Sequence, residues 1–229
     1  MIHVAEAWNG KQKNLKILLQ DQETFNRGID LLLEMHSLLH DGKLYKTVSE
    51  TFYDALWENM REETCKVISA KETSILWNIW HITRIEDIVA NILIGNKGAI
   101  FNNDIQRRLN IDIKDTGNAM TFSEIESFNK KINIKELNNY RFKTGKSTKK
   151  VIETIQFTDI KRKIENAQLE KIRFNGGVID HPKSIWLLDF WGKKNILGLI
   201  MMPITRHQIV HLNDCFKIKA KYNKAIPNK

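Results

Sequence analysis

Apolar residues recur along this chain at steps of three and four, and almost nothing interrupts them. Only three prolines occur, Pro182, Pro203 and Pro227. A chain so poor in helix breakers, with long Leu/Ile/Lys/Glu-rich stretches, favours helices over many short strands. The clearest stretch runs from about Leu15 to His40. There Phe25, Ile29, Leu32, Leu33, His36, Leu39 and His40 share one face of an amphipathic helix. Asp41-Gly42 stops it, with glycine in its usual place after a helix end.

Further helices follow from the same pattern. A second stretch spans about Ser49 to Lys66. Ser69-Ala-Lys-Glu72 resembles a capping box and predicts the start of a third helix ending near Ile94, with Gly95 closing it. Trp77, Trp80, His81, Ile85, Ile88, Val89 and Ile92 form its apolar side. Residues 96–133 are less regular, with turns at Asn102-Asn103-Asp104 and Asp115-Thr116-Gly117-Asn118. They offer short helices near 102–109 and 122–130, the latter capped by Thr121 with Glu124. Helical pattern returns over 134–165. Asn175-Gly176-Gly177 and Asp180-His181-Pro182 mark a second irregular segment, followed by a short helix at 182–191. Pro203 falls near the start of a last helix, about 203–221, where proline is tolerated. The expected architecture is all-α, one domain over residues 1–229, with four main helices around one core. Its insertions lie at about 96–133 and 172–200.

Composition narrows the function classes. The formal charge is +9. The basic residues cluster at Lys143, Lys146, Lys149 and Lys150, at Lys161, Arg162 and Lys163, and in a tail through Lys217, Lys219, Lys221, Lys224 and Lys229. Acidic residues interrupt most of the rest, and no nucleic-acid-binding motif is present. The excess reads as solvated helix faces rather than a phosphate-binding footprint. Cys65 and Cys215 have no CxxC partner and give no disulfide framework. The longest apolar run, Ile196 to Ile204, is too short to span a bilayer, and the N-terminus has no apolar signal core. A cytoplasmic protein in a reducing compartment is expected.

Seven histidines carry the remaining chemistry: His3, His36, His40, His81, His181, His207 and His211. His3 and His181 read as ordinary surface residues. His207 and His211 form an H-x3-H pair. On a helix, residues four apart stack on one face, so both imidazoles can reach one metal ion. A pair of core histidines bonded to backbone or side chains fits the same spacing. The pair lacks the glutamate of HExxH, so a zincin-type protease is not indicated. His81 shares a face with Trp77, Ile85 and Ile88. Alone it reads as structural; from a facing helix it would complete a three-histidine site with open positions for water or substrate. His36 and His40 form a second pair, read as core or interface histidines, as groups behind the ligands, as a further ligand or as a separate site. Cys215, one turn beyond His211, could approach the site. Arg84, one turn after His81, and Arg206, beside His207, could each bind a substrate carboxylate. No phosphate loop, GxSxG elbow or GxGxxG is present.

At these residues the chain resembles the DinB/YfiT-like superfamily. The resemblance is carried by Trp80–Asp87 (WHITRIED) and Thr205–Asp214 (TRHQIVHLND). It extends, in order, to HSLLH at residues 36–40, TGNAMTFSEI at 116–125 and LLDFWGKK with LGLIMMPITRH over 187–207. It implies a four-helix bundle with a long crossover connection. It also implies one divalent metal ion, zinc or nickel, on His81, His207 and His211. Some relatives are metal-dependent transferases joining low-molecular-weight thiols to electrophiles, and others resemble hydrolases or isomerases. A thiol S-transferase acting on a small-molecule substrate is therefore the leading expectation. A metal-dependent hydrolase and a non-catalytic helical bundle binding a ligand or partner are the alternatives. Six tryptophans leave room for an exposed apolar patch, and so for a homodimer.

Overall fold

The structure is a computed structural model, and it describes residues 4–46 and 50–223. It is all-α, with no strand among the described residues. An isolated backbone bridge, Lys163 to Asn195, pins one loop to the start of a helix. His3 and the tail lysines Lys224 and Lys229 lie outside the described residues.

Helix α1 (Val4–Gln20) packs antiparallel-fashion in sequence order against α2 (Phe25–Leu38). The continuous helix expected from Leu15 to His40 is thus two helices. The turn between them is held by Thr24, whose hydroxyl donates to the Leu18 carbonyl. Gly28 lets the pair close, because a Cβ there would stand 2.9 Å from Leu19 Cδ2. The stretch expected over 49–66 is likewise two short helices, α3 (Phe52–Trp57) and α4 (Glu62–Lys66). Residues 47–49 lie outside the described residues.

The central element is α5 (Ile75–Asp87), which continues as a wider π-helical segment, Ile88–Ile94. Its cap is Ser74, whose hydroxyl accepts from the Trp77 N–H, and not Ser69 as the capping-box pattern suggested. Ser69 instead closes a turn with Glu72, which takes a left-handed φ of 57°. Every residue from Ile75 to Ile94 is buried, so α5 is not amphipathic. It is covered by α8 (Ile134–Thr154) and by α12 (His207–Tyr222), with α4 and α7 (Phe122–Lys131) over its first half. Helix α2 packs on α8.

Between these run α6 (Asn103–Leu109), α9 (Asn166–Phe174) and α10 (Pro182–Gly192). The cap expected on α7 forms, Thr121 with Glu124 making a capping box, and Asn102, expected in a turn, caps α6. The helical pattern expected to 165 ends at Thr154, followed by a 3-10 turn, Phe157–Lys161.

The last helix begins earlier than Pro203. Helix α11 (Ile196–Leu199) runs through a π-helical segment, Ile200–Arg206, straight into α12. Pro203 therefore sits inside a helix rather than at its first turn. It has no N–H to offer the preceding turn, and side chains bond carbonyls within the widened segment itself. Thr205 donates to the Ile200 and Met201 carbonyls. Gln12 donates to Met201 at 2.5 Å, and Gln208 to Pro203 at 3.4 Å. Wide turns of this kind concentrate at functional sites. This one ends where His207 begins.

Candidate metal centre

The sequence brings three imidazoles together from two helices. His81 projects from α5 and His207 and His211 from α12, and one ring nitrogen of each lies within 4.8 Å of the others. His81 is buried, while His207 and His211 are each partly exposed. The group thus has a dry side toward α5 and a side open to solvent.

What fixes the rings matters as much as their proximity. His81 Nδ1 lies 2.8 Å from the Thr116 carbonyl oxygen, so it carries the proton and donates it. His211 Nδ1 lies 2.6 Å from Asn78 Oδ1. The Asn78 amide orientation is itself set, because its NH2 donates to the Ser74 carbonyl at 2.7 Å. Both outer nitrogens are therefore donors, and both Nε2 atoms present bare lone pairs. His81 Nε2 stands 3.1 Å from His207 Nε2. Without metal, one proton on His207 Nε2 bridges that pair; a metal ion would replace it. His207 Nδ1 is buried without a partner.

The Thr116 carbonyl is held by a short built turn. The Trp77 and Trp80 indoles donate to the carbonyls of Gly117 and Asp115. Asp115 Oδ1 accepts from the Gly117 N–H at 2.7 Å. Gly117 takes a φ of +78°, and a Cβ there would lie 3.0 Å from Trp77 Nε1. The Trp77 ring also stacks on His81, centroids 4.6 Å apart and nearly parallel.

Burial keeps the group in its ligating form. It pushes His81 down to about 3, with a further push from His211 and a small opposing one from the Thr116 bond. It pushes His211 down to about 4, with Asp214 opposing. His207 is held well below its usual range by burial and then by the other two rings. Three neutral imidazoles at neutral pH are a donor set suited to zinc, nickel, copper or iron. The group could hold a metal ion.

Other sequence candidates fall elsewhere. Arg84 is buried, donates from Nε to the Lys114 carbonyl at 2.7 Å and stacks on Phe101. It lines a cavity of about 440 Å³ with Lys114, Ile88 and Ile172 rather than joining the histidines. Its bond to Lys114 ties α5 to the loop that carries Thr116. Arg206 is exposed and reaches Asn9 at 3.5 Å. Cys215 is fully buried and its thiol is pushed up by burial, so it offers no thiolate. Cys65 is pushed up to about 12 for the same reason. His36 and His40 do not join the three histidines; they meet Glu86 of α5 in a separate buried group.

Asn78 and the Thr116 carbonyl were missed by the sequence reading. Asn78 stands three residues before His81 on one helix, a spacing that puts both on one side. That was the available signal. A backbone carbonyl carries none.

No protein-family model matches the chain, and no match to it was found among curated proteins. No helix among the described residues is long and apolar enough to cross a membrane.

Proposed function

We propose that this protein is a metal-dependent enzyme of the DinB/YfiT-like kind, and that it transfers a low-molecular-weight thiol to an electrophile. The observation that carries the reading is the convergence of two bare Nε2 lone pairs, on His81 and His211. Their tautomers are fixed from behind by Thr116 and Asn78, and His207 completes a triangle of rings with centroids 4.5–5.0 Å apart. Metal-ligating histidines characteristically donate their other N–H to such oxygens.

A divalent ion, zinc or nickel, would lower the pKa of a thiol or water placed against it. The chain's own residues supply the rest. His81, backed by Trp77 and the 115–117 turn, closes the inner side against water. The partly exposed edges of His207 and His211 leave the outer side for a substrate to enter. Three protein ligands with an open side are the arrangement of catalytic rather than structural sites. A cavity of about 180 Å³ opens further along α12, between Lys71, Asp214 and Ile218. Its α12 lining begins at Asp214, three residues past His211, and includes none of the three histidines.

The test is elemental analysis of the purified protein with chelator competition. About one divalent ion per chain is expected, and His207→Ala should lose it while the helical circular dichroism persists. A protein that carries no metal, and whose melting temperature does not rise with added zinc or nickel, would refute the reading.

A further inference from the structure

The second histidine group, His36, His40 and Glu86, has the composition of a two-histidine, one-carboxylate metal site. All three side chains are buried. Their hydrogen bonds and charges assign them otherwise. We infer that this group is no second metal centre but the anchor of a buried polar chain, running through Arg141 to Gln208, that sets the register of α12 against α5 and so aims His207 at His81. The inference rests on the metal-site reading above.

Protons come first. At the three-histidine group two lone pairs converge. Here two N–H groups converge on a carboxylate: His36 Nε2 lies 2.9 Å from Glu86 Oε1, and His40 Nε2 lies 3.1 Å from Oε2. His36 Nδ1 then accepts from the Tyr45 hydroxyl at 2.6 Å. To ligate an ion, both rings would have to move that proton to Nδ1. For His40 the proton would go into a buried position with no acceptor. The ring lies so close to Gly145 of α8 that a Cβ there would come within 2.5 Å of Nδ1.

His207 faces the same lack of a partner at Nδ1, so charge separates the two groups. Arg141 Nη1 stands 3.8 Å from Glu86 Oε2, both essentially inaccessible. The pair is neutral as it stands. A divalent cation would leave two uncompensated positive charges in the interior beside a guanidinium, which burial penalises heavily. At the three-histidine group the partly exposed His207 and His211 leave the same two charges within reach of solvent, which screens them.

Arg141 carries the arrangement onward. Its Nη2 donates to the Leu39 carbonyl of the α2 cap at 2.8 Å and to Gln208 Oε1 at 3.1 Å. Its Nη1 reaches Thr83 of α5 at 3.3 Å. Gln208 is fully buried and used at both ends: its NH2 donates to the Ile82 carbonyl at 3.1 Å. Ile82 follows His81, and Gln208 follows His207. One side-chain amide therefore ties the two ligand-bearing helices together one residue from the ligands. It does so just past the π-helical segment, where the ladder of the helix leaves the phase of α12 least constrained. Gln208 and Arg141 are positioning residues, not catalytic ones.

The experiment uses the full chain stripped of metal and titrated with Co²⁺, followed by its visible spectrum, and with Zn²⁺ against a competing chelator. Wild type should take up one ion per chain at saturation. Gln208→Met removes all three hydrogen bonds of the side chain, to Arg141, Ile82 and Pro203. Gln208→Glu keeps the partner of Arg141 and loses the two bonds its NH2 donates, to Ile82 and Pro203, so it remains folded if the methionine variant does not. Each should bind about 10- to 100-fold more weakly, with a shifted Co²⁺ spectrum in protein that is still folded. Two ions per chain would overturn the assignment of His36, His40 and Glu86. Gln208→Glu with wild-type affinity and spectrum would overturn the register role while leaving the metal site standing. Wild type that binds no ion would instead sink the metal-site reading and this inference with it.

Discussion

Replacing Asn78 separates a metal centre from a merely packed cluster of histidines. Asn78 is buried, accepts from His211 Nδ1 at 2.6 Å and donates to the Ser74 carbonyl at 2.7 Å. Asn78→Ala removes both bonds. Each lost buried hydrogen bond costs about 0.5–1.5 kcal/mol, so the metal-free protein should lose roughly 1–3 kcal/mol of stability. Its larger effect falls on the ligand. His211 loses the oxygen that holds its proton on Nδ1, and both the tautomer and the ring orientation become free. Losing such a supporting partner costs about 10- to 100-fold in metal affinity, which is about 1.4–2.8 kcal/mol. Asn78→Asp is the informative counterpart. It keeps an acceptor for His211 and adds a negative charge behind the ligand, so zinc affinity should hold or rise. It replaces the bond to Ser74 with two oxygens facing each other, so the metal-free melting temperature should still fall. The assay is zinc competition against a chromophoric chelator at neutral pH, beside thermal melts of both forms. If Asn78→Ala binds zinc within threefold of wild type, His211 is not oriented by Asn78 and the argument fails.

Two further outcomes follow from the same geometry. Gly117→Ala places a side chain at a φ of +78° and against Trp77 Nε1. It should cost about 1–2 kcal/mol and weaken metal binding through the Thr116 carbonyl; an unchanged melting temperature would show that the turn relaxes freely. Acid should destabilise the metal-free protein early. Burial lowers His81 and His40 to about 3 and His211 to about 4 in the folded state, against an ordinary value of 6.5 when unfolded. Between those limits the unfolded chain binds more protons, so stability falls as pH drops below about 6.5. Each group contributes up to about 1.4 kcal/mol per pH unit. Urea denaturation from pH 7.5 to 4.5 measures it, and a midpoint constant across that range would contradict the neutral, buried assignment. Bound zinc should raise the midpoint most at the upper end of that range and progressively less as protons compete for the ligands.

The sequence by itself determined the helical class, most helix ends in the first insertion, and the identity of the three imidazoles. Periodic apolar residues, Thr121 with Glu124, Gly95 and the H-x3-H spacing are local signals, readable because helix geometry relates residues only three or four apart. It misled where tertiary contact overrides local pattern. The face of α2 continues in phase with residues of α1, so one helix was expected where Thr24 breaks the chain. Pro203 looked like a first-turn residue, but α11 and the start of the π-helical segment precede it, and Gln12, Thr205 and Gln208 bond carbonyls of that segment. Helix α5 looked amphipathic, yet Asn78, Thr83, Arg84, Glu86, Asp87 and Asn91 are as buried as its isoleucines. A polar residue enters a core only when its partners arrive from elsewhere. Those partners are His211 for Asn78, Arg141 for Thr83 and Glu86, the Lys114 carbonyl for Arg84, Tyr140 for Asp87 and Ser147 for Asn91, between 30 and 133 positions away in the chain. Tertiary structure therefore decided which histidines share a site. His81, His207 and His211 meet with their lone pairs converging, while His36 and His40, at the same spacing across the end of α2, meet a carboxylate already matched by Arg141. Spacing brings two rings to one helix face; only the charge and hydrogen bonds of the facing helix decide whether a metal ion or a carboxylate lies between them.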